Sequence, residues 1–390
     1  MDRLGCIVSG SAARSVLIVS GTRPEVIKLA PLYHVLQDCP WADVAWLHTG
    51  QHDAMAEQML ECFRIAPQFR FAREGDTLAQ FSAGCRLRFD DVMRSRDWSC
   101  VLVQGDTEST FLGALAGFHA QVPVGHVEAG LRTHDLARPF PEEGIRQMIT
   151  RIARFHFAPT HRAAEALAGE GLAASQVFHT GNTVVDAQLW ARANHGIKRQ
   201  RRDRGHLLVT MHRRENWGAE IEDVCAALAE LAQRHPQLPI LFPVHLNPTV
   251  QVPVRQRLGA LPNVRLTAPL DYLAMQQALA DAWLVLTDSG GIQEEAPTYQ
   301  VPVLVLRRET ERPELIECGG GALVGTARAD VVAAVERLLA DASAYRRMQV
   351  AGNPFGDGQA AQQIVHILER ALGAVPARSA EPALVADGVA

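Results

Sequence analysis

The chain has 390 residues, of which 47% are hydrophobic and 21% charged, and its formal net charge is −5 at pH 7. This length accommodates two domains of ordinary size, each with its own core, and the composition argues against long disordered regions. The negative net charge provides no general attraction to nucleic acid or to an anionic membrane, so an anionic ligand must be bound by local groups.

The cysteines and the apolar runs give no sign of secretion or of membrane insertion. The seven cysteines are scattered, and no two stand at the spacing of a structural zinc site. No apolar run approaches the roughly 20 residues that span a bilayer. The N-terminus has an acid at Asp2 and only a short apolar segment, which argues against a signal peptide. We therefore expect a cytoplasmic protein with reduced thiols.

The first strand-turn-helix unit has the features of an anion-binding site. The apolar run Val16–Val19 predicts a strand buried on both faces, and after a turn at Gly21 the residue Pro24 suits the first position of a helix. The free backbone amides of a helix start attract anions, and Arg23 and Lys28 add positive charge. An ordinary turn with a solvated arginine is the alternative interpretation.

The rest of the first half alternates between strand and helix patterns. Such alternation predicts a parallel sheet with right-handed crossovers. The strands are predicted at 44–47, 101–103, 122–127, 155–160 and 177–182, and the helices at 55–60, 78–94 and 108–119.

Three acidic residues are predicted to meet at one edge of this sheet. Asp106 and Glu128 each follow a short buried strand, and Glu142 opens a helix after a proline. Residues just beyond the carboxyl ends of neighbouring parallel strands converge on one crevice, so these carboxylates are expected to share a site. In the simpler alternative, Asp106 caps the next helix and Glu142 only stabilises a helix N-terminus. A buried Glu128 needs a partner, and His126 and Arg132 are the nearest candidates.

The alternation stops between residues 191 and 204, which we interpret as an interdomain linker. Its basic run lacks interleaved aromatic residues, which favours a solvated linker over a nucleic-acid-binding patch. The second half then repeats the strand-and-helix pattern, and the segment from about residue 376 has no periodicity. Strands are predicted to begin at residues 207, 240, 264, 283 and 303, and helices to cover 219–234 and 329–341.

A second anion-binding turn is predicted in this half. Gly290 and Gly291 remove side chains where a phosphate would approach the backbone, and Ser289 supplies a hydroxyl near the helix start. A tight turn without a ligand is the alternative. His212 follows an apolar strand and is suited to binding a phosphate or relaying a proton, although such a histidine is more often structural. Two such turns facing one cleft fit a ligand with a phosphate-bearing end and a second polar part.

Several longer motifs occur in the order found in one enzyme family. They are Gly21–Lys28, Thr49–His52, Gly105–Thr107, Gly125–Arg132, Pro141–Glu143, His212–Asn216, Pro243–Pro248, Thr287–Pro297 and Thr310–Glu314. On these motifs the chain resembles the bacterial non-hydrolysing UDP-N-acetylglucosamine 2-epimerases, over residues 16–372.

The resemblance implies an α/β fold with two Rossmann-like domains of the glycosyltransferase-B type, whose parallel sheets face a central cleft. It implies a UDP-sugar in the cleft, a homodimer, and no metal, nicotinamide or other cofactor. We expect a lead-in at 1–15, an N-terminal domain at 16–190, a linker at 191–204 and a frayed tail at 376–390. The C-terminal UDP-binding domain is expected at 205–375, with a last helix that packs back on the N-terminal domain.

The resemblance also implies a reaction, the reversible epimerisation of UDP-GlcNAc to UDP-ManNAc at C2 for surface polysaccharide. UDP is eliminated to give a 2-acetamidoglucal and is then added back. Removing the weakly acidic C2 proton requires positioned carboxylates, and cations stabilise the leaving diphosphate. By motif position the catalytic residues are Asp106, Glu128, Glu142 and His212, with the choice of base on each sugar face left open. The implied UDP-sugar ligands are Arg23, Lys28, Ser289, Gly290, Gly291, Glu295 and Arg312, with Glu295 on the ribose and with Arg312 and His212 at the phosphates.

The sequence departs from the family pattern in two places. Met275 stands where the family often has an aromatic residue near the uracil, which is expected to loosen base stacking. Gln51, His52 and His245 match the region where bacterial members bind a second UDP-GlcNAc as an allosteric activator, but residues 53–54 and 73–76 do not match its polar contacts. Activation by substrate is therefore either lost or uses a modified effector.

Other functions stay open at this point. A hydrolysing epimerase would release ManNAc and UDP, and a related epimerase would act on a modified UDP-sugar such as a diacetamido uronate. A glycosyltransferase on the same fold would need an acceptor groove, whereas the first half offers three acids. A UDP-sugar sensor would not require those carboxylates.

Overall fold

The first half of the chain forms a seven-stranded parallel sheet. The structure is a computed structural model that describes residues 13–200, 205–213 and 216–373, so most of the predicted lead-in, the basic residues 201–204 and the predicted tail lie outside it. The strands are β1 (Arg14–Ser20), β2 (Ala42–His48), β3 (Phe69–Arg70), β4 (Trp98–Gln104), β5 (Val124–Val127), β6 (Phe155–Ala158) and β7 (Val177–His179). Their order across the sheet is β3-β2-β1-β4-β5-β6-β7.

Helices connect these strands and cover both faces of the sheet. Strand β1 is buried on both sides as predicted, because Val16 and Ile18 belong to one hydrophobic cluster and Leu17 and Val19 to another. The helices are α1 (Arg23–Gln37), α2 (Asp53–Cys62), α3 (Leu78–Arg94), α4 (Glu108–His119), α5 (Glu142–Ile152), α6 (His161–Gly169) and α7 (Thr183–His195).

The second half repeats this architecture with a six-stranded parallel sheet. Its strands are β8 (His206–Thr210), β9 (Ile240–Pro243), β10 (Val264–Thr267), β11 (Ala282–Thr287), β12 (Val303–Val305) and β13 (Gly321–Leu323), in the order β10-β9-β8-β11-β12-β13. Its helices are α8 (Ala219–Arg234), α9 (Pro248–Leu258), α10 (Tyr272–Asp281), α11 (Gly290–Glu295), α12 (Pro313–Glu317), α13 (Arg328–Ala340), α14 (Ala342–Met348) and α15 (Ala360–Gly373).

The strand orders create one switch point in each sheet. The order reverses between β1 and β4 in the first sheet and between β8 and β11 in the second. Loops that leave the carboxyl ends of such strand pairs diverge to opposite faces and open a crevice, which is where ligands bind in sheets of this kind. The predicted turns follow β1 and β11, and Asp106 follows β4, so these lie at the switch points, whereas Glu128 follows the neighbouring strand β5.

The last helix returns to the first half of the chain. Helix α15 packs against α1 and α7, and its side chains Ile364 and Leu368 lie in the same hydrophobic cluster as Leu29 and Leu32 of α1. The backbone N–H of Ala361 donates a hydrogen bond of 2.8 Å to the carboxylate of Asp186 in α7. Among the described helices, none is both long and apolar enough to cross a membrane.

The interdomain segment begins later than the sequence pattern indicates. Residues 191–195 were predicted to belong to the linker, but α7 continues to His195 and ends at Gly196, which adopts a left-handed conformation with φ 67°. Ala191 extends the helix because it is fully buried, and the preceding Trp190 stacks on His34 at a centroid distance of 4.9 Å. Packing against α1 thus maintains the helix beyond the point where the apolar periodicity fades.

Two histidines are buried side by side in the first sheet. His126 of β5 is paired in register with His156 of β6, and both side chains are almost fully buried. Burial lowers the pKa of His126 to about 4 and that of His156 to about 3. Both imidazoles are therefore neutral in the folded protein at neutral pH.

We expect the free energy of unfolding to decrease as the pH falls from about 6.5 towards 4. In this window the unfolded chain binds protons at both histidines and the folded chain does not, so folding is opposed by roughly 1.4 kcal/mol per pH unit for each histidine. Urea unfolding at several pH values measures this slope. His156→Leu should flatten it, and His366→Leu, which replaces a histidine with an exposed side chain in α15, is the matched control. A slope that is identical in His156→Leu and the wild type would contradict the assignment.

Candidate active site

A cavity of about 510 Å³ lies in the cleft between the two sheets. Both halves of the chain line it, and several of its polar residues come from the segments that follow β1, β8 and β11 at the two switch points. Most of the sequence-predicted ligand residues are found here, namely Arg23, Lys28, His212, His245, Ser289, Gly291, Glu295 and Arg312.

The turn after β1 does not offer all of its amides to a ligand. The carboxylate of Glu25, one turn into α1, accepts the backbone N–H groups of Gly21 at 2.5 Å and of Thr22 at 2.8 Å. Burial raises the pKa of Glu25, although hydrogen bonds from Thr107 and other donors act to lower it. These two amides are therefore not available to an anion, and this turn contributes positive charge through Arg23.

In the turn after β11, the N–H of Ser289 donates a hydrogen bond of 2.9 Å to the hydroxyl of Thr287, and the N–H groups of Gly290 and Gly291 have no side-chain acceptor among the described residues. Ser289 caps α11, since its hydroxyl accepts the N–H of Ile292 at 3.4 Å. A Cβ at Gly290 would lie 3.7 Å from Nη2 of Arg213 and 3.9 Å from Nη2 of Arg312. Two guanidinium groups thus face the glycine backbone, which makes this turn the more favourable of the two for a phosphate.

Lys28 connects the two halves of the chain through ion pairs in the cleft. Its ammonium group contacts Oε1 of Glu128 and lies 3.3 Å from Oε2 of Glu294 in the second half. Oε1 of Glu294 accepts a hydrogen bond of 2.5 Å from Nε of Arg312. Burial acts to lower the pKa of Lys28, but the charges of Glu128 and Glu294 outweigh it and raise that pKa. The lysine is therefore a cation held between two carboxylates.

Glu128 is held by groups that lie far from it in sequence. Besides Lys28, the side-chain amides of Gln104 and Asn182 donate hydrogen bonds to its carboxylate, the latter at 3.2 Å. The predicted partners His126 and Arg132 are wrong, since both make their contacts elsewhere. Glu128 has a left-handed φ of 64°, so the chain turns directly after β5 and these neighbours point in other directions.

Asp106 forms an ion pair with helix α5. Nε and Nη2 of Arg146 each lie 2.7 Å from Oδ2 of Asp106. The N-terminus of α4 is capped by Thr107, whose hydroxyl accepts the N–H of Thr110, so the alternative in which Asp106 caps this helix is wrong. The aspartate is free to face the arginine because its neighbour does the capping.

The two glutamates at the start of α5 have different surroundings. Glu143 is fully buried and accepts the backbone N–H groups of Thr133 and His134, at 3.1 and 3.2 Å. Burial acts to raise the pKa of Glu143, but these hydrogen bonds and the one from Gln147 outweigh it and lower that pKa. Glu142 begins the helix as predicted, and its buried Oε2 accepts no hydrogen bond from any described residue. Glu143 therefore secures the preceding loop, while Glu142 keeps an oxygen available.

Residues of α10 and α11 also line the cavity. Glu295 is partly buried there and accepts a hydrogen bond of 2.5 Å from Gln276. Burial raises the pKa of Glu295 to about 7. Met275 lines the same cavity, together with the ring of Tyr272, whose buried hydroxyl has no acceptor among the described residues.

The three residues predicted for a second ligand are not brought together in the cavity. His245 lines the cleft, and its Nδ1 accepts the N–H of Asn247 at 3.2 Å. Gln51 accepts hydrogen bonds from the amide and hydroxyl of Ser109, and His52 begins α2. Neither Gln51 nor His52 is among the described residues that line the cavity.

Asp106, Glu128 and Glu142 are likewise absent from the described lining of the cavity. Glu128 is joined to the cavity through Lys28, which does line it.

Sequence reasoning missed six residues that hold the predicted site residues in place. Of these, only Glu25 carries a local sequence signal, because Thr22-x-x-Glu25 is a capping-box pattern. The missed residues are Glu25, Gln104, Arg146, Asn182, Asp288 and Glu294. No group of side chains suited to a metal ion occurs in the part of the chain that the structure describes.

Comparison with known proteins gives a consistent match. Residues 34–369 match the family described as UDP-N-acetylglucosamine 2-epimerase. The chain is 43% identical over 368 residues to the UDP-N-acetylglucosamine 2-epimerase of Escherichia coli (strain K12), which covers 91% of this chain and 98% of that protein. It is 41% identical over 358 residues to the enzyme of the same name from Bacillus subtilis (strain 168), at 90% and 94% coverage.

A solved structure extends the likeness to the fold. The UDP-GlcNAc 2-epimerase of Neisseria meningitidis, bound to UDP-GlcNAc, superposes with a TM-score of 0.83 at 37% identity, covering 91% of this chain and 100% of that chain. The predicted fold class, two Rossmann-like domains of the glycosyltransferase-B type, is confirmed.

We expect Glu294→Gln to bind inorganic pyrophosphate more tightly than the wild type. The substitution removes a negative charge that pairs with Lys28 and Arg312, so both cations become available to an anion. The gain should be roughly three- to tenfold at low ionic strength, with a lower unfolding temperature in the absence of ligand. Isothermal titration calorimetry and thermal unfolding measure the two effects.

Glu311→Gln is the matched control for this variant. Glu311 lies 3.4 Å from Nη1 of Arg213 and 3.9 Å from Nη1 of Arg312, and its carboxylate is partly exposed, so solvent screening should make its removal change pyrophosphate affinity less. Weaker binding in Glu294→Gln than in the control would show that Glu294 orients Arg312 for an anion and does not compete with it.

Proposed function

The chain belongs to the UDP-N-acetylglucosamine 2-epimerase family, and we propose that it interconverts UDP-GlcNAc and UDP-ManNAc without net hydrolysis. One observation carries this proposal. Lys28 contacts Glu128 on the side of the acids and Glu294 on the side of Arg312, so proton-transfer groups and diphosphate-binding cations form one network across the cleft. A reaction that removes a proton from one carbon and releases a diphosphate from the next needs proton-transfer groups at the first carbon and cations at the diphosphate.

In this proposal the nucleotide binds to the second half of the chain. The turn Ser289–Gly291 and the guanidinium of Arg312 would bind the diphosphate through backbone amides and positive charge. Glu295, which also lines the cavity, would accept hydrogen bonds from ribose hydroxyls. The sugar then extends towards the first half, where Lys28 and Arg23 line the cleft. The Neisseria meningitidis relative, whose structure holds UDP-GlcNAc, supports a ligand of this kind.

The reaction begins with removal of the C2 proton by a carboxylate. As this proton leaves, the C1–O bond breaks and its electron pair goes to the β-phosphate oxygen of UDP, which leaves a 2-acetamidoglucal. Arg312 and Lys28 would stabilise the charge that develops on the diphosphate. UDP then adds back to C1 while a proton returns to C2 on the opposite face.

Two sugar faces need two proton routes. We assign one face to Glu142, because its buried Oε2 accepts no hydrogen bond from the described residues. Glu128 and Asp106 serve the other face, where Lys28 and Arg146 pair with them. Asn182 and Gln104, which donate hydrogen bonds to Glu128, fix its direction.

We further propose that the enzyme works as a homodimer in the cytoplasm and supplies ManNAc for surface polysaccharide. Large apolar side chains on the outer helices of the first half support a dimer. Leu87 of α3 is 78% exposed, Phe118 of α4 is 51% exposed and Met148 of α5 is 47% exposed. These helices are neighbours, since α4 packs against both α3 and α5. A second copy on this face would cover them.

Incubation with UDP-GlcNAc in deuterated water should give UDP-ManNAc with deuterium at C2. Asp106→Asn, Glu128→Gln and Glu142→Gln should each lower kcat by about 10²- to 10⁴-fold, because each removes a proton-transfer carboxylate and keeps its shape. Proton NMR of the anomeric region and mass spectrometry measure conversion and label together.

Glu108→Gln is the control, since Glu108 lies two residues from Asp106 but accepts the hydroxyl of Ser82 outside the cavity. It should retain nearly full activity. Free ManNAc as the main product would identify a hydrolysing enzyme, and product without deuterium would contradict removal of the C2 proton on one face with return of a solvent-derived proton on the other.

A further inference from the structure

A buried carboxylate lies directly behind His212. Asp288 follows β11 and is fully buried, whereas about half of the His212 side chain is exposed towards the cavity. Oδ1 of Asp288 lies 3.2 Å from Nδ1 of His212. The same carboxylate accepts the backbone N–H of His212 at 3.1 Å and that of Arg213 at 3.0 Å, and the side-chain amide of Asn216 at 2.9 Å.

These contacts fix the protonation of one imidazole nitrogen. Burial acts to raise the pKa of Asp288, but its hydrogen bonds with His212 and Asn216 outweigh it and lower that pKa. Asp288 is therefore ionised at neutral pH, and an ionised carboxylate only accepts hydrogen bonds. At 3.2 Å from this acceptor, Nδ1 of His212 is placed to donate its hydrogen to the carboxylate. Nε2, on the far side of the ring, is left for the cavity.

We propose that Asp288 is a positioning residue that holds His212 in its Nδ1–H tautomer, with Nε2 directed at the diphosphate end of the cleft. The effect of Asp288 on kcat rests on the function proposed above, whereas the tautomer of His212 does not depend on that function. A second proton can then enter the ring only at Nε2, so the charged form donates a hydrogen bond towards the cavity. Such a donor stabilises the negative charge that grows on the departing UDP.

A purely structural role for Asp288 is the alternative. Two of its contacts are with backbone amides, which also fix the turn after β8. The two roles differ in the expected behaviour of the imidazole. If Asp288 only shapes the turn, the His212 tautomer does not depend on its charge, and the kinetic effect of removing that charge does not depend on His212.

The direct test is nitrogen NMR of histidine-labelled protein. The His212→Asn spectrum identifies the His212 signals by their absence among the 15 histidines. We expect the neutral ring to be protonated at Nδ1 in the wild type and in Asn216→Ala, which removes a different contact of Asp288. In Asp288→Asn the amide offers a donor, and the population should move towards the Nε2–H tautomer. An Nε2–H tautomer in the wild type, or no change in Asp288→Asn, would overturn the proposal.

A double-mutant cycle supplies the kinetic test. Asp288→Asn should lower kcat for UDP-GlcNAc by about 10- to 100-fold in the wild type and by less than about twofold in the His212→Asn background. Asn216→Ala should lower it by less than about fivefold. Equal losses from Asp288→Asn in both backgrounds would show that Asp288 does not act through His212.

The two proposals fail in different ways. If the wild type does not turn over UDP-GlcNAc, the proposed function is wrong, and the tautomer spectra still decide the role of Asp288. Should Asp288→Asn fail to fold, as judged by thermal unfolding, the wild-type spectrum alone still tests the Nδ1–H tautomer.

Discussion

The cleft depends on one buried cation, Lys28, placed between Glu128 and Glu294. A buried ammonium group without partners would lose its charge, and two buried carboxylates without a cation would repel each other. Glu128 belongs to the first half of the chain and Glu294 to the second. The two ion pairs of Lys28 therefore fix the distance between Glu128 and the cation Arg312, which pairs with Glu294. The approach of the two halves and the chemistry of the cleft are therefore determined by the same contact.

The topology explains why the groups meet at all. Each parallel sheet has one switch point, and the described residues that line the cavity include the segments after β1, β8 and β11. The first half contributes the cations Arg23 and Lys28 to this lining, and the second half contributes Arg312, two glutamates and a glycine turn. Helix α15 crosses back to pack on α1 and α7, which ties the second half to the first through apolar contacts as well as through charge. The site is a property of both halves and of neither alone.

The sequence predicts the elements well and the contacts within the site poorly. Strand ends and glycine turns are local patterns, so Asp106, Glu128 and the turn at Gly290 could be located without the structure. The partners of those residues come from elements 24 to 100 residues away, such as Gln104 and Lys28 for Glu128 and Arg146 for Asp106. No local periodicity encodes such pairings. For this reason the nearest charged neighbours in sequence gave the wrong partners.

The central claim is that UDP leaves the sugar and returns to it within the cleft. It is tested most directly with UDP-GlcNAc that carries ¹⁸O in the bridge between C1 and the β-phosphorus. The account predicts that label in recovered UDP-GlcNAc moves from the bridge to the non-bridging β-phosphate oxygens, because the free phosphate rotates before it adds back. Epimerisation at C2 with all of the label retained in the bridge would contradict the account.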